Sequence, residues 1–262
     1  MSTKAQRHET ILRHLEQRTT ASVADLASEL LCSPMTIRRD LAELELKGLV
    51  ERSHGGASAT RRVRLEFALY DRATLHRAEK AAIGRAAAQL VKEGERIILD
   101  TGTTTLAMAR NLVGAEGISV VTTSLAVVSA LLREPGVEVM LVGGTVRESS
   151  PDLYGPFVEE NLSRLHADWA FVGCDGISTT GGLTTTDPRI ARATGLMIAG
   201  SKRAVLLADS SKAAADSFIG FARIADLDYI VTDDRMPAEI TDSARAAGVE
   251  VMAVQAHAEG RE

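Results

Sequence analysis

Ser33-Pro34-Met35-Thr36-Ile37-Arg38-Arg39-Asp40-Leu41, set between Ser22-Val23-Ala24-Asp25 upstream and Gly48 to Ala57 downstream, decides the fold of the first part of this chain. Ser22 and Asp25 have the spacing of a capping box, in which the Ser22 hydroxyl takes a backbone N–H three residues on and the acid lies in the electropositive first turn. Val23, Leu26, Ala27 and Leu30 recur at helical spacing, so a short amphipathic helix is predicted to run to about Leu31. Ser33 is then an N-cap with Pro34 at the first helical position, where its missing N–H costs nothing and its fixed φ already suits a helix. A second helix begins at Pro34.

Advancing each residue by about 100° puts Ile37, Leu41 and Leu44 on one inward face. Met35, Arg39 and Ala42 fall on the opposite face, flanked by Thr36, Arg38 and Glu43. Such a helix suits a DNA major groove, because Arg grips guanine O6/N7 bidentately and hydroxyls hold phosphates. Gly48 is placed to end the helix, Leu49-Val50-Glu51-Arg52 alternates as a strand, and Ser53-His54-Gly55-Gly56 reads as a wing. Two glycines let a backbone approach phosphates closely, and Arg52 and His54 can add contacts there. The candidate DNA contacts are therefore Ser33, Met35, Thr36, Arg38, Arg39, Arg52, His54 and Gly55. A solvated face on an ordinary helical hairpin accounts for exposed Arg and Thr, but not for cap, Pro, helix stop and wing in succession.

From about Arg7 to Ala57, with Thr36-Ile37-Arg38-Arg39-Asp40-Leu41 and His54-Gly55-Gly56-Ala57, the chain resembles the DNA-binding domain of the DeoR family of bacterial sugar-metabolism repressors. The resemblance implies that the hexapeptide opens the recognition helix and that the His-Gly-Gly-Ala run closes the wing.

The chain has 262 residues, enough for a small domain and a larger one with its own core. Its 45% hydrophobic and 25% charged residues are those of a globular protein, and no apolar run is long enough to span a bilayer. The N-terminus lacks a secretory hydrophobic region, and Cys32 and Cys174 fall in different predicted domains. A reducing bacterial cytoplasm is expected, with the protein on the nucleoid when bound to DNA. His and Cys spacing suggests neither a metal site nor a cofactor. The net charge of −5 is unevenly spread: Met1 to Arg62 holds 10 Lys and Arg against 8 Asp and Glu, the remainder 20 against 27. So weak a basic excess predicts that one copy binds DNA poorly and that a homodimer or homotetramer is the working form.

The expected domains are a winged helix-turn-helix over residues 1–57, a linker over 58–76 that opens on the small, polar and basic run Ser58-Ala59-Thr60-Arg61-Arg62, and an effector domain over 77–262. In the last of these, Arg96 to Asp100 is a short strand ending in a carboxylate, followed by a hydroxyl-rich loop, Thr101-Gly102-Thr103-Thr104-Thr105, and a helix from Leu106 to Leu112. Strands are predicted at Ile118 to Thr122, Val137 to Val142, Trp169 to Gly173, Ala204 to Ala208, Tyr229 to Thr232 and Val249 to Val254, alternating with helices, and a loop at Asp175 to Thr186. Such alternation argues for an α/β fold with a doubly wound, mostly parallel sheet.

Ligands bind at the carboxyl ends of strands in such sheets. The polar residues gathered there are Asp100, Gly102, Thr103, Thr104, Thr105, Thr123, Ser124, Gly143, Gly144, Asp175, Gly176, Asp209 and Lys212, which form the candidate effector site. Free N–H groups of a helix start and a lysine suit phosphate, and carboxylates accept from sugar hydroxyls. Any one of these residues alone can equally be a cap or a turn residue.

This region also resembles the DeoR family, through Asp100 to Thr105, Gly143-Gly144, Gly173-Cys174-Asp175-Gly176-Ile177, Gly182-Leu183-Thr184 and Leu207 to Lys212. The resemblance implies a sugar-phosphate-sensing domain similar in fold to ribose-5-phosphate isomerase and the coenzyme A transferases. Where family members carry a Glu and a Lys between Thr186 and Met197, this chain has Ile190 and Thr194. The function expected is a DNA-binding repressor of a carbohydrate catabolic operon, released from its operator by a phosphorylated sugar or related metabolite. The alternative is a sugar-phosphate isomerase or transferase with an appended helix-turn-helix, its base and electrophile drawn from Asp100, Asp175, Asp209 and Lys212. That reading leaves the recognition helix without a purpose.

Overall fold

The computed structural model describes residues 3–18, 20–60, 72–148, 150–213 and 215–256. The chain divides into two compact units, Met1–Asp71 with Glu148–Ser150, and Arg72–Arg147 with Pro151–Glu262. Within the predicted linker, residues 61–71 lie outside the described residues.

The first unit is built from α1 (Lys4–Arg18), β1 (Thr20–Ser22), α2 (Val23–Glu29), α3 (Pro34–Leu46), β2 (Val50–Ser53) and β3 (Gly56–Ala59). Both predicted caps form: the Ser22 hydroxyl accepts the Asp25 N–H and the Ser33 hydroxyl accepts the Thr36 N–H. Leu31, with φ 50, makes the turn between the two helices, so α2 stops at Glu29, short of the predicted end. β2 and β3 form an antiparallel hairpin and β1 adds to the far side of β3. Ile11 and Leu15 of α1 complete a core with Leu26, Ile37, Leu41, Leu44 and Val50. The wing carries on past Ala57, where sequence reading ends the domain, because Ala57 and Ala59 face the same way on β3 and both are buried in that core.

The second unit is organised on a seven-stranded parallel sheet of order β15-β14-β12-β9-β4-β5-β6. Its strands are β4 (Arg96–Leu99), β5 (Ile118–Thr122), β6 (Val137–Leu141), β9 (Ala167–Val172), β12 (Ser201–Leu207), β14 (Tyr229–Asp233) and β15 (Glu250–Val254). The helices are α4 (Arg77–Ala88), α5 (Thr103–Arg110), α6 (Leu125–Leu131), α7 (Pro156–Leu162), α8 (Pro188–Ala199) and α9 (Ala238–Ala246). α4, α5 and α6 pack in sequence against one another, and α7 packs against α8. This is the expected doubly wound arrangement. From β4 the chain winds outward through β5 to β6, then returns to the other side of β4 as β9, so the topological switch point lies between β4 and β9. The strands there are almost wholly apolar and buried, as a central parallel strand requires.

Two local expectations are corrected. Thr103 to Thr105 form the first turn of α5, not a loop before it, because Gly102 at φ 135 turns the chain straight into the helix. The predicted loop from Asp175 to Thr186 contains a hairpin, β10 (Gly176–Ser178) and β11 (Gly182–Thr185), to which β13 (Ile219–Ala222) adds as a third antiparallel strand. Its glycines and threonines read as turn residues in isolation, yet all four residues of β11 are buried. A second small hairpin, β7 (Thr145–Val146) with β8 (Leu153–Tyr154), follows Gly143 and Gly144.

Candidate DNA interface and effector site

In the first unit Ile37, Leu41 and Leu44 anchor α3, leaving Met35, Arg38 and Arg39 exposed on its free surface and Ala42 half-buried. Arg38 and Arg39 form no ion pair among the described residues, so their guanidinium groups are available to bases or phosphates. The Ser33 and Thr36 hydroxyls lie 2.9 Å apart, so both are engaged in the cap as well as facing out. On the wing, Arg52 is tied to the end of α3, its N–H donating to Glu45 Oε1 at 3.3 Å. His54 and Gly55 are exposed at the tip. Gly55 has φ 84, a left-handed turn. Gly56 is required for a different reason from phosphate approach: a Cβ there would sit 2.3 Å from the Ala21 carbonyl oxygen, so only glycine lets β1 pair with β3.

Sequence reading missed the group that ties α3 to α1. Asp40, 3% exposed, accepts Arg7 Nε at 2.8 Å and Arg7 Nη2 at 3.1 Å, and lies 3.2 Å from His8 Nε2. Burial works against its charge, but Arg7 and His8 together hold the carboxyl below the usual carboxylate range. The signal was present in the helical spacing, which sets Asp40 on the face occupied by Ile37 and Leu44, where an unpaired carboxylate has no place.

In the second unit Asp100, Asp175 and Asp209 follow the carboxyl ends of β4, β9 and β12, three adjacent strands at the switch point. Asp100 is buried. Its Oδ1 accepts the Thr101 N–H at 2.7 Å, and its Oδ2 accepts the Gly173 N–H and the Thr194 hydroxyl, each at 3.3 Å. Burial pushes its pKa up to about 7 despite those donors. Thr194 is thus a positioning group for Asp100. Asp175 uses Oδ2 for the Thr185 hydroxyl at 2.8 Å and the Thr186 N–H at 3.0 Å. Partial burial opposes its charge, while these donors and the nearby Lys212 carry its pKa below the ordinary value.

Asp209, 1% exposed, caps the turn Ser210–Lys212 by accepting from Ser211, and its Oδ2 is buried with no hydrogen-bond partner among the described residues. A buried, unpaired carboxylate oxygen is costly unless something donates to it. The half-buried Lys212 stands in the same turn. The first turn of α5, beside Asp100, has N–H groups that no earlier carbonyl of the helix can reach. Thr104 and Thr105 are buried, and the Thr105 hydroxyl donates back to the Gly102 carbonyl. Burial pushes the Cys174 thiol up to about 12, so it stays protonated at neutral pH.

The remaining candidates have local structural roles. Thr123 and Ser124 are buried after β5, where Ser124 caps α6 and the Thr123 carbonyl accepts the Leu153 N–H. Gly143 and Gly144 follow the edge strand β6; a Cβ on Gly144 would meet Val158 and the Tyr154 carbonyl, which accounts for that glycine by packing. Gly176 lies on the hairpin, with its carbonyl accepting from Thr184. Sequence reading also passed over Arg147, whose Nε donates to buried Asp152 at 2.8 Å, and Lys80, a buried lysine in α4. An Arg in a connection and a Lys in an Ala-rich helix carry no sequence signal of burial.

Comparison with known proteins places both units. Residues 7–63 match the DeoR-like helix-turn-helix domain and residues 75–234 the DeoR C terminal sensor domain. The chain is 35% identical over 248 residues to the HTH-type transcriptional regulator GlpR of Haloferax volcanii, covering 95% of this chain and 97% of that one. It is 34% identical over 247 residues to the HTH-type transcriptional repressor GlcR of Bacillus subtilis, covering 94% of each. Among solved structures it is similar to ribose 5-phosphate isomerase A from Methanocaldococcus jannaschii, with a TM-score of 0.40 and 19% identity over 53% of this chain and 55% of that one.

Proposed function

The chain belongs to the DeoR family of DNA-binding transcriptional regulators, and from that membership we propose a repressor of a carbohydrate catabolic operon that a phosphorylated sugar or related metabolite releases from its operator. One observation carries the effector class: Asp100, Asp175 and Asp209 converge with Lys212 and the first turn of α5 at the switch point of the sheet. Carboxylates accept from sugar hydroxyls, and a lysine with free helix-start N–H groups takes a phosphate. Arg38 and Arg39 read base edges, with Ser33, Met35 and Thr36 beside them and Arg52, His54 and Gly55 on the flanking backbone. Two or four copies act together in the cytoplasm, because one weakly basic domain supplies few phosphate contacts.

Release requires the ligand to bind the DNA-incompetent arrangement more tightly than the DNA-bound one; driving the protein from mostly bound to mostly free takes about 5.5 kcal/mol of such difference. The test is a titration of the protein against its own upstream region at fixed salt, repeated with a panel of sugar phosphates. Specific binding released by one of them supports the whole reading. Specific binding that none of them releases overturns the effector class, and absence of specific binding overturns the operator assignment.

A further inference from the structure

A chain of hydrogen bonds leaves the effector turn in a direction the effector itself does not need. The Ser210 N–H donates to Asp233 Oδ2 at 2.6 Å. Asp233 is wholly buried at the end of β14, and its Oδ1 accepts both the Arg235 N–H at 3.1 Å and Arg235 Nε at 3.3 Å. The same guanidinium reaches through Nη2 to Glu79 Oε1 in the first turn of α4. The next residue, Lys80, is 7% exposed and places its Nζ on the carbonyl oxygens of Arg72 at 2.6 Å and Leu75 at 2.8 Å.

The turn that Lys80 grips is itself unusual. His76 adopts φ 55 and ψ 39, a left-handed conformation that costs a side chain free energy, and no side chain caps α4 there. A buried ammonium is an expensive way to hold two carbonyls. α4 packs against β14 and β12, and Asp209, at the end of β12, is the carboxylate that most offsets the burial of Lys80. The buried Asp209 Oδ2 has no donor among the described residues, so whatever donates to it acts on the turn whose Ser210 N–H starts the chain.

We propose that Ser210, Asp233, Arg235 and Glu79, ending in the grip of Lys80 on residues 72–76, form a relay that couples occupancy of the Asp209–Lys212 turn to the order of the segment where the second unit begins. This rests on the reading that the effector engages Asp209 and Lys212. Each link from Ser210 to Glu79 is a charge-assisted bond with a specified partner, and Glu79 joins Lys80 through the backbone of α4, so a shift of the Ser210 N–H loosens Asp233 and Arg235 in turn. A chain of contacts becomes a coupling only when its ends are shown to be energetically linked, and a double-mutant cycle measures that link.

The experiment is hydrogen exchange on the full chain, reading the amides of residues 72–80 in the wild type, Asp209→Asn, Arg235→Met and the double variant. Arg235 is mostly exposed, so its replacement spares the core; Lys80→Met in place of Arg235→Met interrupts the relay at its other end. Asp209→Asn is expected to change exchange over residues 72–80 by about fivefold or more, the lower bound of a typical coupling, and to change it little once Arg235 or Lys80 is replaced. Additive effects in the Arg235 cycle overturn the relay whatever the Lys80 cycle gives, because Asp209 also acts on Lys80 directly. Calorimetric titration of wild type and Arg235→Met with fructose 6-phosphate and with inorganic phosphate separates the two readings. Equal binding by both proteins with operator release lost only in Arg235→Met supports the relay. Binding by neither, with a non-additive cycle, sinks this effector class and leaves the relay standing.

Discussion

Arg39 is held on the outer surface of α3 by three apolar residues on the inner surface, and none of its donors is committed to an acid among the described residues. Arg39→Ala is therefore expected to weaken operator binding by about 1–3 kcal/mol and to relax preference at one base position, with unchanged folding. A titration against the operator and against single-base variants checks both effects; unaltered binding by a folded variant removes Arg39 from the groove. Asp100 makes the opposite kind of claim, about protons. Its folded pKa of about 7 lies above the unfolded value, so between about pH 4 and pH 7 the folded state holds more protons than the unfolded one. Stability from this group accordingly falls as pH rises through that window and levels off above it. Asp100→Asn, which cannot ionise, should flatten that part of the curve. Thermal melts at about pH 5 and about pH 8 measure it, and equal pH slopes in the two proteins would falsify the burial argument.

At the level of elements, Asp40 joins α3 to α1 through Arg7 and His8, so it braces the helix proposed to enter the groove. Asp40→Asn keeps the shape and removes the charge that Arg7 neutralises, and is expected to cost about 2–3 kcal/mol, below the usual range for breaking a buried pair because Arg7 keeps some access to water. The folded pKa of Asp40 is depressed, so its contribution is present above the ordinary carboxylate range and is lost as pH falls through the folded value. Acid denaturation of the first unit, followed by circular dichroism, should begin at higher pH in the variant; an unchanged onset would detach Asp40 from this role. α2 and α3 were legible because caps, Pro34 and apolar spacing all act locally, and the sheet strands because buried parallel strands are continuous apolar runs. The β10, β11 and β13 sheet was not, since Gly176, Gly182 and Gly220 carry turn chemistry and only tertiary burial makes those segments strands. Within the candidate site, Asp100, Asp175, Asp209 and Lys212 were legible as polar residues at strand ends. Thr194, Lys80 and Arg235 were not, because their roles depend on partners 94, 8 and 156 residues away in the chain.

For the molecule as a whole, DNA binding and ligand response lie on separate compact units of one chain, so a variant can lose one and keep the other. Lys212 is the sharpest place to test that separation. It is half-buried in the turn that Asp209 caps, and its charge reaches Asp175 and Cys174, so the turn already presents a cation among acceptors. If that cation receives the phosphate, Lys212→Ala forfeits a charge-assisted hydrogen bond of about 1.5–3 kcal/mol, which moves the sugar-phosphate concentration needed for release upward by about 10- to 150-fold. Operator affinity without ligand should stay within about twofold, because the residues proposed to contact DNA are untouched and sites without shared partners are close to additive. A release titration on both proteins at one salt concentration decides the matter: a shifted midpoint with constant operator affinity assigns Lys212 to the ligand, a loss of operator affinity assigns it to the fold, and an unmoved midpoint takes it out of the site and returns the phosphate to the first turn of α5.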